Sequence, residues 1–259
     1  KLQLHTKISR KNYGTAALTG SVSLWDSLPL LSEKAESTFP VSMEKLDQSY
    51  GYILYRTVLK DMDLLGEIRL MKANDRAQIF ADDKKVLTLY DRELLTAHKL
   101  ETPVSVAAEG SRMDILVENM GRVNFGPYME QQRKGIDGPV LFNTRQHFGF
   151  EIYPLPLDDV SHLKFEAKAP VQEAPAFHRY TFEAEETGDT FLNMEGFGKG
   201  CVFINGFNLG RFWEIGPQRT LYVPGPLLKR GINEIIVFET EGTYRKTVTL
   251  QDQPDLGPQ

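Results

Sequence analysis

The chain has 259 residues, 41% of them hydrophobic and 25% charged, with a formal net charge of -5. That length suits two domains, each large enough to bury its own core, and the net acidity argues against a nucleic-acid partner, which needs a basic face. Cys201 is the one cysteine, so no intrachain disulfide can form, and no run approaches the ~20 apolar residues of a membrane-spanning helix.

The N-terminal KLQLHTKISRKNYG has no apolar signal core and no initiator methionine, so the chain reads as a fragment or a processed product. The compartment, cytoplasmic or cell-surface, stays open. Residues 1–32 read as a linker from something upstream, with GSVSLWDSLPLLS as one strand and a turn. Leu24, Trp25, Leu28, Leu30 and Leu31 fit a bridge across a domain junction, and equally a core strand. Loss of an upstream domain would leave an exposed apolar patch in this segment.

From Tyr50 onward the hydrophobic period is two. YGYILYRTVL, GEIRLM, AQIFA, KKVLTLY, VSVAAE and MDILVEN form a first set of strands. A second set runs through FHRYTFEAEE, DTFLNM, CVFI, FNLGRFW, RTLYVP, NEIIVFE and YRKTVTL. Helix is scarce: SMEKL, LDDVSHL and PLLKR each suit one or two turns. Short strands at close spacing predict an all-β fold of two jelly-roll sandwiches. The sets also correspond in order, AQIFADDKK to CVFINGFNLG and MDILVENMG to NEIIVFETEG, at an offset of about 120 residues. Gly135, Gly138, Pro139, Pro154 and Pro156 place the boundary in 135–156. The expected division is a linker at 1–32, a first sandwich at 33–147 and a second at 148–259.

Asn205-Gly206 in CVFINGFNLGRFW is a hairpin signal, because a type I′ turn needs positive φ at both central residues. Gly210 inside the following strand marks a bulge that re-aims Arg211, Phe212 and Trp213. Two readings stand here. Trp213 and Phe212 plug the sandwich rim while Arg211 pairs with a carboxylate, or Trp213 stacks on a sugar while Asn208 and Arg211 bond its hydroxyls. The tight return through EIGPQRTLYVP favours architecture.

The run GKGCVFINGFNLGRFWEIGPQRTLYVPGPLLKRGINEIIVFE resembles the C-terminal β-domain of family 35 β-galactosidases, and QSYGYILYRT and ILVENMGRVNFGPY resemble the β-domain before it. The likeness extends over about residues 50–242. It implies galactose-binding-like sandwiches that follow a catalytic (β/α)₈ barrel absent from this chain. It also implies that the catalytic glutamates belong to the barrel, since a retaining glycosidase needs two carboxylates about 5–5.5 Å apart. Glu118, Glu195, Glu214 and Glu239 read as strand-end or turn residues, so the chain alone is expected to be inactive. By the same resemblance, the loop ENMGRVNFGPYMEQQRKGIDGP approaches the barrel mouth. There Tyr128 or Phe125 would stack on the second sugar and Asn124 or Arg122 would bond hydroxyls. The alternative is that Asn119, Arg122 and Asn124 tie down loop backbone while Phe125 packs between domains.

GFGKG precedes a strand and not a helix, so it reads as a turn and not a phosphate cradle. The five histidines have no zinc-type spacing, and no metal or cofactor is expected. Cys201 reads as a small buried hydrophobe. The expected partners are an upstream barrel, galactosides in the intact enzyme, and a second copy in a homo-oligomer. A stand-alone carbohydrate-binding module and a structural interaction domain are the competing readings, which fold alone does not separate.

Overall fold

The computed structural model describes residues 9–166 and 173–257. In chain order the strands are β1 (Gly14–Ser23), β2 (Ala35–Ser37), β3 (Tyr52–Leu59), β4 (Leu64–Leu70), β5 (Ala73–Asn74), β6 (Arg76–Ala81) and β7 (Lys84–Tyr90). Then come β8 (His98–Ser105), β9 (Ser111–Glu118), β10 (Gly135–Ile136), β11 (Val140–Phe142), β12 (Arg145–Gln146) and β13 (Phe150–Leu155). The last group is β14 (Ala176–Ala184), β15 (Thr190–Asn193), β16 (Lys199–Ile204), β17 (Phe207–Trp213), β18 (Thr220–Val223), β19 (Gly231–Glu239) and β20 (Thr247–Gln251). The α-helix α1 (Leu24–Leu31) follows β1.

The chain folds as two compact units, one of residues 28–158, the other of residues 1–27 joined to 159–259. This differs from the sequence expectation in two places. The 1–32 segment is not a linker: β1 pairs with β14 and β20 inside the second unit's sheet. α1 follows because Ser23 caps it, its hydroxyl accepting the Asp26 N–H at 3.0 Å and donating to the Asp26 carboxylate at 2.6 Å. Leu24 and Leu28 are buried, not displayed on a patch. The first eight residues of that segment lie outside the described residues. The division also falls at 158/159, after β10 to β13, whose glycines and prolines had suggested a boundary. Pro154 stands in β13 past Ile152, where pairing with β2 has ended and one edge is free, so its missing N–H is tolerated.

In residues 28–158 a six-stranded sheet, β2-β13-β3-β9-β6-β7, faces the strands of a four-stranded sheet, β12-β11-β4-β8. Ile53, Ile79, Ile115 and Val117 from the first meet Leu65, Ile68, Val140 and Phe142 from the second in one core. In the other unit an eight-stranded sheet, β17-β16-β19-β14-β1-β20-β15-β18, curls until its two end strands touch. Tyr180, Val202, Phe212, Val237 and Leu250 fill its interior. Both units are all-β.

The two sets of strands share a four-strand kernel, β7-β6-β9-β3 in one unit and β17-β16-β19-β14 in the other. Each begins with a two-residue turn at positive φ, Asp82-Asp83 (44° and 73°) and Asn205-Gly206 (46° and 85°). Each hairpin carries a bulge, between Ile79 and Phe80 against β7 and between Val202 and Phe203 against β17. Each central strand ends in a buried carboxylate, Glu118 or Glu239.

Candidate functional site

The loop from Asn119 to Lys134 leaves β9 and returns at β10. Arg122 is engaged along its stem: Nη1 donates to Glu44 Oε1 at 2.6 Å, and Nη2 and Nε donate to the Ser49 carbonyl at 3.2 and 3.4 Å. Asn119 donates to the same carbonyl at 3.0 Å and accepts the Gly121 N–H. Gln132 reaches back across the loop to accept the Val123 N–H at 3.0 Å. Burial would raise the Glu44 carboxyl, but hydrogen bonds from its own backbone, Arg122 and Lys134 hold it below the usual carboxylate range. The tip is the reverse of the stem. Phe125 is 90% exposed and Tyr128 70% exposed, with Asn124 exposed beside them. A groove of about 410 Å³ runs at the foot of the loop, between Asp75, Tyr90, Leu95, Arg122 and Val123.

At the second candidate position, Asn208, Arg211 and Trp213 stand opposite Phe203, Cys201 and Lys199, which alternate along β16, so they share one face of β17. Phe212 between them enters the core. Asn208 accepts the Gly210 N–H at 3.0 Å and so closes the bulge. Trp213 is half-buried and lines a groove of about 220 Å³ with Glu195, Gly196, Glu214, Gln218 and Arg219. Neither Asn208 nor Arg211 borders that groove, so the three residues do not converge on one ligand position. GFGKG forms a turn, with Phe197 N–H donating to the Met194 carbonyl, and the N–H groups of Gly198 and Lys199 donate to Glu239 Oε1 at 3.1 and 3.3 Å. Cys201 is buried.

One pair of carboxylates escaped the sequence reading. Glu36 on β2 stands directly opposite Glu151 on β13, in a groove of about 880 Å³ bordered also by Arg56, Arg112 and Phe148. Cross-strand neighbours have Cβ atoms about 5 Å apart, so these two carboxylates are close enough to share one partner. Lys34 Nζ bridges them, 2.9 Å from Glu36 Oε1 and 2.6 Å from Glu151 Oε1. Its hydrogen bond, working against burial and aided by Tyr153, holds the Glu151 carboxyl below the usual range. A glycosidase acid needs a raised pKa; the Glu151 carboxyl is lowered, and the pair shares a cation. Glu118 and Glu239 are buried at strand ends. Burial raises the Glu239 carboxyl, against N–H groups of Thr243 and Lys199 that favour its charge.

Fold and loop together define an all-β protein of two sandwich units, of which the unit of residues 28–158 displays aromatic side chains from a fastened loop. The model of the β-galactosidase first all-beta domain matches residues 40–156, and that of the β-galactosidase galactose-binding domain matches residues 175–233. The first match runs past 147, in keeping with a unit that ends at Asp158. Beta-galactosidase 1 of Dictyostelium discoideum is 34% identical over 250 residues, covering 88% of this chain and 37% of that protein. Beta-galactosidase-1-like protein 2 of Homo sapiens is 38% identical over 248 residues, covering 91% and 37%. The Beta-galactosidase of Xanthomonas manihotis is 40% identical over 210 residues, covering 80% and 33%. The chain carries two all-β domains of the kinds found in β-galactosidases, a first all-beta domain and a galactose-binding domain. It spans a little over a third of the length of the relatives it matches.

Proposed function

We propose that this chain is the C-terminal part of a β-galactosidase in which an upstream barrel hydrolyses terminal β-galactosides. The two sandwiches brace that barrel, and the loop of residues 119–134 lines the leaving-group side of its cleft. The observation that carries this reading is the contrast within the loop, a hydrogen-bonded stem under a tip that exposes Phe125 and Tyr128. Large apolar side chains left in water on a fastened support suit a surface that receives another body. A ring presented in this way can stack on the second sugar of a disaccharide. Arg122 holds the loop, and Asn124 is exposed beside the two rings. The test is kinetic. Tyr128→Ala in the full-length protein should lower kcat/KM for a β-galactosyl disaccharide more than for an aryl β-galactoside; equal losses contradict the reading.

A second reading, sugar binding beside Trp213, is favoured by the size of its groove and by the two carboxylates, amide and guanidinium around the indole. Calorimetric titration of the chain with galactose and lactose tests it. Millimolar or tighter binding that Trp213→Ala abolishes supports it, and no heat of binding contradicts it.

A further inference from the structure

We propose that Asp75 and Lys134 are positioning residues for the aromatic tip of the 119–134 loop, an assignment that rests on the leaving-group reading above. A single carboxylate gathers both ends of the loop. Asp75 Oδ2 accepts the Met120 N–H at 2.8 Å where the loop begins, and both Asp75 oxygens accept from Lys134 Nζ, at 2.6 and 2.7 Å, where it ends. The Asp75 N–H donates to the Glu118 carbonyl at 3.0 Å, which ties the same residue to the last position of β9.

Lys134 is held on every side. It is 1% exposed. Its N–H donates to both oxygens of Glu44, at 3.0 and 3.1 Å, and its carbonyl accepts the Met43 N–H at 2.8 Å. Glu44 also accepts from Arg122, so a second carboxylate repeats the bridge between outgoing and returning stem. Between these clamps the loop is tied to itself by Gln132 to Val123, Arg122 to the Gln132 carbonyl, Arg133 to the Glu130 carbonyl, and the Gln131 and Gln132 N–H groups to the Tyr128 and Met129 carbonyls.

Lys134 is buried and the Asp75 side chain is 21% exposed; an ion pair so far withdrawn from water is a poor device for raw stability, because desolvation consumes much of the attraction and apolar replacements of similar volume often do as well. Its directed, charge-assisted bonds fix geometry. A displacement of about 1 Å in a substrate-positioning group can cost up to ~100-fold in rate. The Asp75–Lys134 pair therefore sets where Phe125 and Tyr128 stand more than how firmly the sandwich folds.

The experiment compares Asp75→Asn, Lys134→Met and the double variant in the full-length protein. Hydrogen exchange of residues 119–134 is read alongside kcat/KM for a β-galactosyl disaccharide and for an aryl β-galactoside. The expected result is faster exchange confined to that loop, and a disaccharide-to-aryl ratio lowered about tenfold. The double variant should recover stability relative to the singles without recovering the ratio. Unchanged exchange in the loop overturns the clamp. A ratio that recovers with stability overturns the positioning role, since it would make the pair merely structural. Faster exchange with an unchanged ratio also overturns that role, and Tyr128→Ala then separates the causes. If Tyr128→Ala still lowers the ratio, the positioning inference alone fails; if it does not, the leaving-group reading fails with it.

Discussion

The ammonium of Lys199 lies 4.3 Å from the centroid of the Trp213 ring. Lys199 is 2% exposed, so this cation–π contact is made away from water, where it is strongest. One indole face is thereby committed to holding β16 and β17 together. Lys199→Met keeps the aliphatic stem and removes the cation. It should destabilise the chain by about 1–2 kcal/mol in urea denaturation and shift Trp213 emission in a Trp25→Phe background. Unchanged emission would mean that the contact is not populated.

The neighbouring hairpin depends on two residues in different ways. Gly206 has φ 85° and open space around it. Gly206→Ala should cost about 1 kcal/mol from backbone strain alone. Asn205 donates to the Leu227 carbonyl and to Asn233 Oδ1, both at 2.8 Å, and accepts the Glu234 N–H at 3.0 Å. Asn205→Ala should cost more, roughly 2–3 kcal/mol, because three bonds go at once. Equal melting temperatures for the two variants would contradict this ordering.

His178 gives the stability a pH dependence. It is fully buried, with Nδ1 2.8 Å from Ser21 Oγ, and burial pushes its imidazole down from 6.5 to about 4. The unfolded chain takes up the proton first, so stability present above pH 6.5 is lost as the pH falls toward 4. The loss should reach roughly 3 kcal/mol. His178→Asn should flatten the urea midpoint between pH 7 and 4.5; an undiminished slope would assign the effect to other groups.

Phe125 and Tyr128 contribute little to folding if their place is to meet another body. Phe125→Ala and Tyr128→Ala should each change the unfolding free energy of this chain by less than about 0.5 kcal/mol. A loss above about 2 kcal/mol would show that these rings pack within the chain.

Much of this molecule is legible in its sequence. KKVLTLY and FNLGRFW coincide with β7 and β17, and Asn205, Gly206 and Gly210 announce the turn and the bulge. These are local signals, set by φ preferences and by alternation. What stayed hidden depends on distant pairing. β8 was expected six residues later, because Pro103 disguises a strand that lies at a sheet edge, where proline is tolerated. β1 joins strands more than 150 residues away, so nothing near it could reveal its partner. At the candidate site, Arg122, Asn124, Phe125 and Tyr128 were visible as polar and aromatic residues in one loop. Asp75, Glu44 and Lys134 were not, since a clamp across some 60 to 90 positions has no spacing to read. The Glu36–Glu151 pair arises in the same way, from two strands whose shortness and proline masked them.

This chain is expected not to cleave glycosides by itself, and the direct test is galactose release from an aryl β-galactoside by the purified chain. The expected result is release at the rate of the buffer blank, unaltered in Glu36→Gln and Glu151→Gln. Sustained release that either substitution abolishes would place an acid and a nucleophile on β2 and β13 and contradict it.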